Sequence, residues 1–525
     1  MREKRTRLLI LSLFSLYLLV NLLTLTRFPA VHSDELWLKG LTDEMLARKT
    51  FVVTEPFYDL YPRIVHPFRW LFHTLQAFVF FLFGSTVFSI RLLSLGASAG
   101  SLLLFYSLIK TLLGERSLAF AAAAALALNI QFIYSAHFGR QEALILFLLL
   151  LSLTLCIRKN WRYPLLSAVL PALVILAALG THPNAFLIAL TTGAVFLVQA
   201  LQKKRPLRDL FILIGTVSAG ALLYLSIGFH WNPDLITGYL RFGSSVGVDA
   251  SLTGRTEGFY WFWYKLFERI GGTYDLFDLR IELILGMLFL IALIVFSLQS
   301  IRKRTTQDSM FLLPFTVIGS LLFGIFLIGR YNQTSVVFLL PFLILSGFTL
   351  AHPLFHMDGR QKLQKPVLLI LLAASIFGLY GNLTLYREER PYQVSYDAML
   401  DQIGEIVPRD AVVLGNLNLI GAFRQDRFYD VRNLGHLSDA DITFEGYVEA
   451  RGIEYILVHD EMAYIDDTSP KWDFLYVNND FSADMRTFLE TRTDLVDTVA
   501  NPIYAMRIAR YSGTYPWETK IYRVR

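Results

Sequence analysis

The chain has 525 residues, of which 54% are apolar and only 17% charged, and its mean hydropathy is +0.47. A soluble domain carries about 25% charge, so this composition excludes a disordered chain and points to a protein that spans a membrane several times. The single cysteine, Cys156, excludes a disulfide framework, and the net charge of +5 reads as basic cytoplasmic loops rather than as a nucleic-acid surface.

Apolar runs long enough to approach the roughly 30 Å of a bilayer core at about 1.5 Å per residue lie near 8–26, 90–112, 117–136, 142–157, 163–181, 184–201, 209–229, 281–300, 310–329, 333–351 and 366–386. These predict eleven spans. The first follows the basic stretch MREKRTR and has no A-x-A site after it, so it reads as an uncleaved helix. The segment 68–83 is short and carries Arg69, His73 and Gln76. If it does not cross, Lys110/Arg116, Arg158/Lys159/Arg162, Lys203/Lys204/Arg205/Arg208, Arg302/Lys303/Arg304 and Arg360/Lys362/Lys365 all fall on the side of the N-terminus. The positive-inside rule makes that side cytoplasmic. Segment 68–83 is therefore predicted to be a juxtamembrane or re-entrant helix on the outer side, between the outer loops 27–89 and 230–280.

Residues 386–525 hold 15 Lys/Arg and 24 Asp/Glu, a density the membrane body does not approach. The chain thus divides into a membrane domain, 1–386, and an acidic soluble α/β domain, 387–525, on the outer side. Helices are expected near 396–406, 441–451 and 481–491. Strands are expected at 411–415, 453–458, 503–510 and 518–524.

The outer loops carry the chemistry. FPAVHSDELWLKG places Asp34 and Glu35 just beyond the first span, where a carboxylate can take a proton from an acceptor hydroxyl. SAHFGRQEALILF places Arg140 and Glu142 at the mouth of a wholly apolar run, where charge is costly and often functional. Arg63, His66 and Arg69 lie near the outer surface and could hold phosphate, as could His182 and Arg330 at helix ends on the same side, and Arg241 and Arg255 in the second long loop. The aromatic run 259–264 reads as an interfacial belt. Acids and cations from several loops on one face suit a transferase whose donor is a lipid phosphate: a carboxylate activates the nucleophile and cations hold the leaving group.

These segments resemble GT-C membrane glycosyltransferases that use polyprenyl-phosphate sugars, most nearly the aminoarabinose transferases and protein O-mannosyltransferases, over residues 1–350. The resemblance rests on Asp34-Glu35 after the first helix, His66-Pro67, Phe83-Gly84 with Arg91, Glu142, Thr181-His182, Arg255 with Phe259–Tyr264, and Arg330-Tyr331 through Pro341. It implies Asp34 as base, Glu142 as a second acid that positions or activates the acceptor, and transfer with inversion. It makes Arg63, His66, Arg140, His182, Arg255 and Arg330 ligands of donor phosphate or sugar. Some superfamily members place a divalent cation beside the acids, which would fall between Asp34 and Glu142; no metal cluster is evident otherwise. The departures are His66 and His182 where relatives carry lysine, and Glu142 where they carry Asp. The partners implied are a polyprenyl-phosphate-linked donor, an extracytoplasmic acceptor (lipid, glycan or protein) and membrane lipids, with no nucleic acid. Three alternatives are a transporter or flippase of lipid-linked glycans, an oligosaccharide-transferring relative, and an inactive member acting as a binding protein. A transporter would place ionisable groups near the bilayer midplane, whereas here they gather at the outer surface. Lys471-Trp472-Asp473 is a poor substitute for the W-W-D motif of an oligosaccharide-transferring relative.

Overall fold

The computed structural model describes residues 2–62, 65, 69–158, 161–238, 240, 251–303, 309–329, 331–356, 364–476 and 480–525. Apolar runs become helices because a backbone in lipid must satisfy its own hydrogen bonds. In chain order these are α1 (Arg2–Thr24), α2 (Ser33–Arg48), α3 (Trp70–Phe83), α4 (Val87–Leu113), α5 (Arg116–Ala127), α6 (Ile130–Ala136), α7 (Glu142–Ile157), α8 (Leu166–Leu179), α9 (Ala185–Leu201), α10 (Leu207–Trp231), α11 (Leu252–Phe267), α12 (Arg280–Lys303), α13 (Ser309–Ile328), α14 (Leu340–His356) and α15 (Gln364–Glu389). A 3-10 turn, Gln333–Phe338, leads into α14. The chain is a mainly α-helical, polytopic membrane protein with a small soluble α/β domain. By length and composition, four of the described helices can each cross a bilayer: Val87–Leu113, Leu207–Trp231, Gln333–Leu350 and Leu368–Glu389. The remaining apolar helices, such as Leu166–Leu179 and Ala185–Leu201, are shorter.

One expected span is broken. The run 117–136 divides into α5 and α6, which meet at 66°. Asn129 causes the break, because its side-chain oxygen accepts the Gln131 and Phe132 N–H groups and starts a new helix. Helix α3, like α8, has 14 residues, about 21 Å at 1.5 Å per residue, shorter than the roughly 30 Å of a bilayer core. Its polar members have a purpose: Thr42 of α2 bonds His73 Nδ1 at 2.7 Å and also pairs with Gln76. The two helices lie together. Buried alanines 121–125 of α5 let α4, α14 and α15 pack closely against it.

The soluble domain contains α16 (Tyr396–Ile406), α17 (Phe444–Arg451), α18 (Asp460–Thr468), α19 (Ser482–Arg492) and a five-stranded sheet. The strands are β1 (Val413–Gly415), β2 (Phe428–Asp430), β3 (Tyr455–His459), β4 (Thr493–Ala500) and β5 (Glu518–Val524), in the order β2-β1-β3-β5-β4. The first three are parallel; β5 runs antiparallel to both β3 and β4. The expected strand at 503–510 is not one. There the amides of Arg507 and Ile508 donate to the buried Glu461 carboxylate at 2.7 and 3.0 Å, so the backbone serves an acid rather than a ladder.

This domain shares a core with the segment 27–62. Val31, Leu36, Phe57 and Tyr58 pack with Tyr396, Met399, Leu417, Leu419 and Phe428 in one buried cluster. Hydrogen bonds reinforce the seam. Asp430 N–H donates to the Phe57 carbonyl at 3.1 Å, and the Asn433 side-chain oxygen accepts the N–H groups of Asp59, Leu60 and Tyr61.

Candidate active site

The site is built on the first turn of α2. His32 caps that helix: its Nδ1 accepts the Asp34 N–H at 3.1 Å, and Glu35 reaches back to the His32 N–H at 3.0 Å. With Nδ1 accepting, Nε2 donates to the Thr273 carbonyl at 2.8 Å. The ring stacks on Tyr274, with centroids 4.9 Å apart.

Successive helix residues lie about 100° apart, and this separates the adjacent acids. Glu35 turns inward. Arg91 of α4 clasps it through Nε and Nη2, both at 2.8 Å, and the Gly139 N–H donates to it at 2.8 Å. The remaining Arg91 nitrogen, Nη1, donates to the carbonyls of Leu25 and Pro29. Both side chains are fully buried. A Cβ on Gly139 would sit 3.2 Å from the Glu35 oxygen and 3.1 Å from Ile90, so a larger residue would have to push these neighbours back by a few tenths of an ångström. Glu35, grouped by sequence with the catalytic acids, has both oxygens engaged and its side chain fully buried.

Asp34 faces out, with its side chain 23% exposed. Its Oδ2 accepts from Arg140 Nη1 and from the Tyr274 hydroxyl, both at 2.6 Å. Arg140 Nη2 lies 2.9 Å from Glu142 Oε1, which also accepts from Thr334 at 3.0 Å. The other Glu142 oxygen is buried and has no partner among the described residues. Arg140 also bonds the Tyr274 hydroxyl and packs over the rings of Phe138 and Tyr274. One guanidinium thus bridges both acids. Burial alone would raise the Asp34 pKa. Arg140, aided by His32, the Tyr274 hydrogen bond and Arg432, outweighs it and holds the carboxyl below the usual carboxylate range. Arg140 is itself desolvated, but Glu142, Tyr274 and Asp34 keep it a permanent cation.

Asp34, Arg140 and Glu142 were expected on one face, and the structure brings them into contact. His182 lies instead at the α8–α9 turn, where its Nδ1 accepts the Asn184 N–H and the neighbouring Gly180 carbonyl accepts the Leu71 N–H at the start of α3. Arg255 is on α11, with its carbonyl bonded to Tyr331. Arg63, His66 and Arg330 lie outside the described residues. Sequence reasoning passed over His32, Tyr274, Thr334 and Arg432. Only His32 had a local signal, a capping residue three positions before a glutamate. The space for a cation between Asp34 and Glu142 is taken by the Arg140 guanidinium, so a divalent ion bridging those acids does not fit. Among the described residues no group of three or more metal-ligating side chains occurs.

The whole fold matches solved membrane enzymes. ArnT from Cupriavidus metallidurans, crystallised with undecaprenyl phosphate, aligns over 87% of this chain and 94% of its own, with TM-score 0.51 and 13% identity. The Archaeoglobus fulgidus oligosaccharyltransferase AglB, in complex with an inhibitory peptide and a dolichol-phosphate, aligns over 90% of this chain and 72% of its own, with TM-score 0.51 and 12% identity. The chain has the GT-C fold. The similarity is confined to structure: no family model and no curated protein matches the sequence. In this GT-C chain the acid cluster sits where the start of α2, the loop before α7 and the Thr273–Tyr274 segment meet.

Proposed function

We propose that this GT-C chain is a glycosyltransferase that moves a single sugar from a polyprenyl-phosphate donor to an acceptor on the extracytoplasmic face, with inversion at the anomeric carbon. The observation that carries this reading is the Asp34–Arg140–Glu142 cluster: an ionised, partly exposed carboxylate held in place beside a buried second acid at the mouth of α7. The acceptor oxygen attacks the anomeric carbon as its proton passes to Asp34. The bond from that carbon to the phosphate oxygen breaks, and its electron pair leaves with the phosphate. A carboxylate of low pKa is a modest base, so the proton moves late, once the new bond has acidified the hydroxyl. Arg140 holds Asp34 in its ionised form and fixes its orientation. Glu142 offers one unpartnered oxygen to a substrate hydroxyl. The basic inner loops support a cell-membrane protein with a cytoplasmic N-terminus and an extracytoplasmic C-terminal domain.

The test is sugar transfer by purified full-length protein, supplied with polyprenyl-phosphate sugars extracted from the host and read as released polyprenyl phosphate. Asp34→Asn is expected to reduce turnover by about 10²–10⁴-fold. Undiminished transfer by Asp34→Asn would remove Asp34 as the base. Lipid-linked glycan crossing proteoliposomes without sugar transfer would instead establish the flippase reading.

A further inference from the structure

Arg432 lies on the 3-10 turn Val431–His436 that follows β2, and it reaches out of the soluble domain into the segment 27–62. Its guanidinium stands 4.7 Å from the ring centre of Tyr58, 5.4 Å from Trp37 and 5.7 Å from Tyr61. Nε donates to Asp430 Oδ1 at 2.9 Å. That carboxylate is shared: Arg507 Nη2 reaches both its oxygens, at 2.8 and 2.9 Å, and the Leu417 N–H takes the second. Burial and the neighbouring Arg507 cation oppose the charge on Arg432, while Asp34, Glu55 and Tyr476 favour it. The residue is only 9% exposed, yet Nη2 has no hydrogen-bond partner among the described residues.

A buried charged donor without an acceptor costs more than the roughly 1–3 kcal/mol of a neutral one. The rings hold the guanidinium by cation–π attraction, but they offer Nη2 no lone pair. Asp430 is saturated. What would satisfy this donor is an oxyanion brought by a ligand, and an arginine fork suits phosphate. We infer that Arg432 binds the phosphate of the lipid-linked donor, so that the soluble domain contributes a substrate ligand beside Asp34. This rests on the proposed glycosyl transfer. As the phosphate departs with its electron pair, Nη2 donates to the oxygen that gains charge.

The experiment measures binding of a polyprenyl monophosphate to the detergent-solubilised full-length chain by tryptophan fluorescence, for wild type, Arg432→Met and Arg432→Lys. Arg432→Met should bind at least tenfold more weakly. Arg432→Lys keeps a cation among the rings, but a desolvated ammonium loses its proton far more readily than a guanidinium. Its affinity should therefore fall between pH 8 and 10, relative to wild type. If Arg432→Met does not fold, the lysine variant carries the test. Variants that bind like wild type, with superimposable pH profiles, overturn the inference alone. A wild-type chain that does not bind polyprenyl phosphate at all overturns the donor reading with it.

Discussion

Replacing Arg140 by methionine removes the one cation that bridges Asp34 and Glu142. The side chain fits the same apolar path over Phe138 and Tyr274, so the change is chiefly electrostatic. In wild type the cluster carries two acids and one base; in the variant it carries two acids. Ion pairs at 2.6 and 2.9 Å are lost, and at an effective dielectric of about 20 a pair about 4 Å between charge centres is worth roughly 4 kcal/mol. Asp34 then titrates higher, because burial and the neighbouring acid raise its pKa against only His32, the Tyr274 hydrogen bond and Arg432. Wild-type turnover is expected to be level through the mildly acidic range, since Asp34 stays ionised there. Arg140→Met is expected to lose turnover progressively as pH falls, and to be slower by about 10²-fold even at neutral pH, the scale of one misplaced catalytic group. Arg140→Lys should fall between, because a single ammonium cannot span both acids. The assay is steady-state release of polyprenyl phosphate from pH 5 to 9, with thermal melts confirming a folded chain. A folded Arg140→Met variant with wild-type turnover and a level pH profile would refute the bridging role.

Other outcomes follow from buried groups outside the crevice. Glu35→Gln or Arg91→Met breaks a fully buried pair and is expected to cost about 3–5 kcal/mol, read as a lowered melting temperature; unchanged melting in both would contradict the structural role of Glu35. The lone Cys156 is buried, so introduced cysteines report topology cleanly. An impermeant maleimide should label Asp494→Cys on intact cells but Lys204→Cys only after permeabilisation, and the opposite pattern would invert the orientation. Burial lowers the His459 imidazole from 6.5 to about 4. The unfolded chain therefore takes that proton first, and the stability contributed is complete above pH 6.5 and lost as pH falls toward 4. The loss is at most roughly 3 kcal/mol; His459→Gln should flatten the slope of unfolding free energy in that window, and an unaltered slope would exclude His459 as its source.

Much of the site was legible because charges at the ends of apolar runs are expensive and therefore informative. Asp34, Arg140 and Glu142 each stand at such an end, and all three converge. What sequence could not divide was the pair Asp34-Glu35, since which of two adjacent acids faces inward depends on where Arg91, 56 positions away, presents its guanidinium. Arg432 left no signal at all: in an acidic domain it reads as one more surface cation, and its aromatic neighbours lie nearly four hundred residues earlier. Helix Tyr396–Ile406 was expected at those very bounds because its apolar stripe is regular. Strand β4 was not among the expected strands because Asp494 and Asp497 interrupt the apolar character of TDLVDTVA, yet it forms the sheet edge beside β5 with an irregularity between Leu495 and Asp497. The false strand at 503–510 has the apolar content of one, but its amides answer to a glutamate more than forty residues earlier.

The shared core decides whether the soluble domain is an appendage. Removing residues 388–525 would strip the cover from Val31, Leu36, Phe57 and Tyr58, all of which belong to the cluster that the domain completes. At roughly 1.5–3 kcal/mol for each large apolar side chain exposed, the truncated loop loses on the order of 8 kcal/mol. The bonds that Asp430 and Asn433 make to residues 57–61 go with it. Val31 and Leu36 flank the His32 cap and the Asp34 turn, so the damage reaches the proposed base directly. The truncated chain is therefore expected to be inactive even though its membrane helices are intact, and protease should cut within residues 27–62, a stretch expected to resist cleavage in the full chain. A truncated protein that still transfers sugar, with that loop still protected, would show that the membrane body alone shapes the Asp34 turn and that the domain only rests upon it.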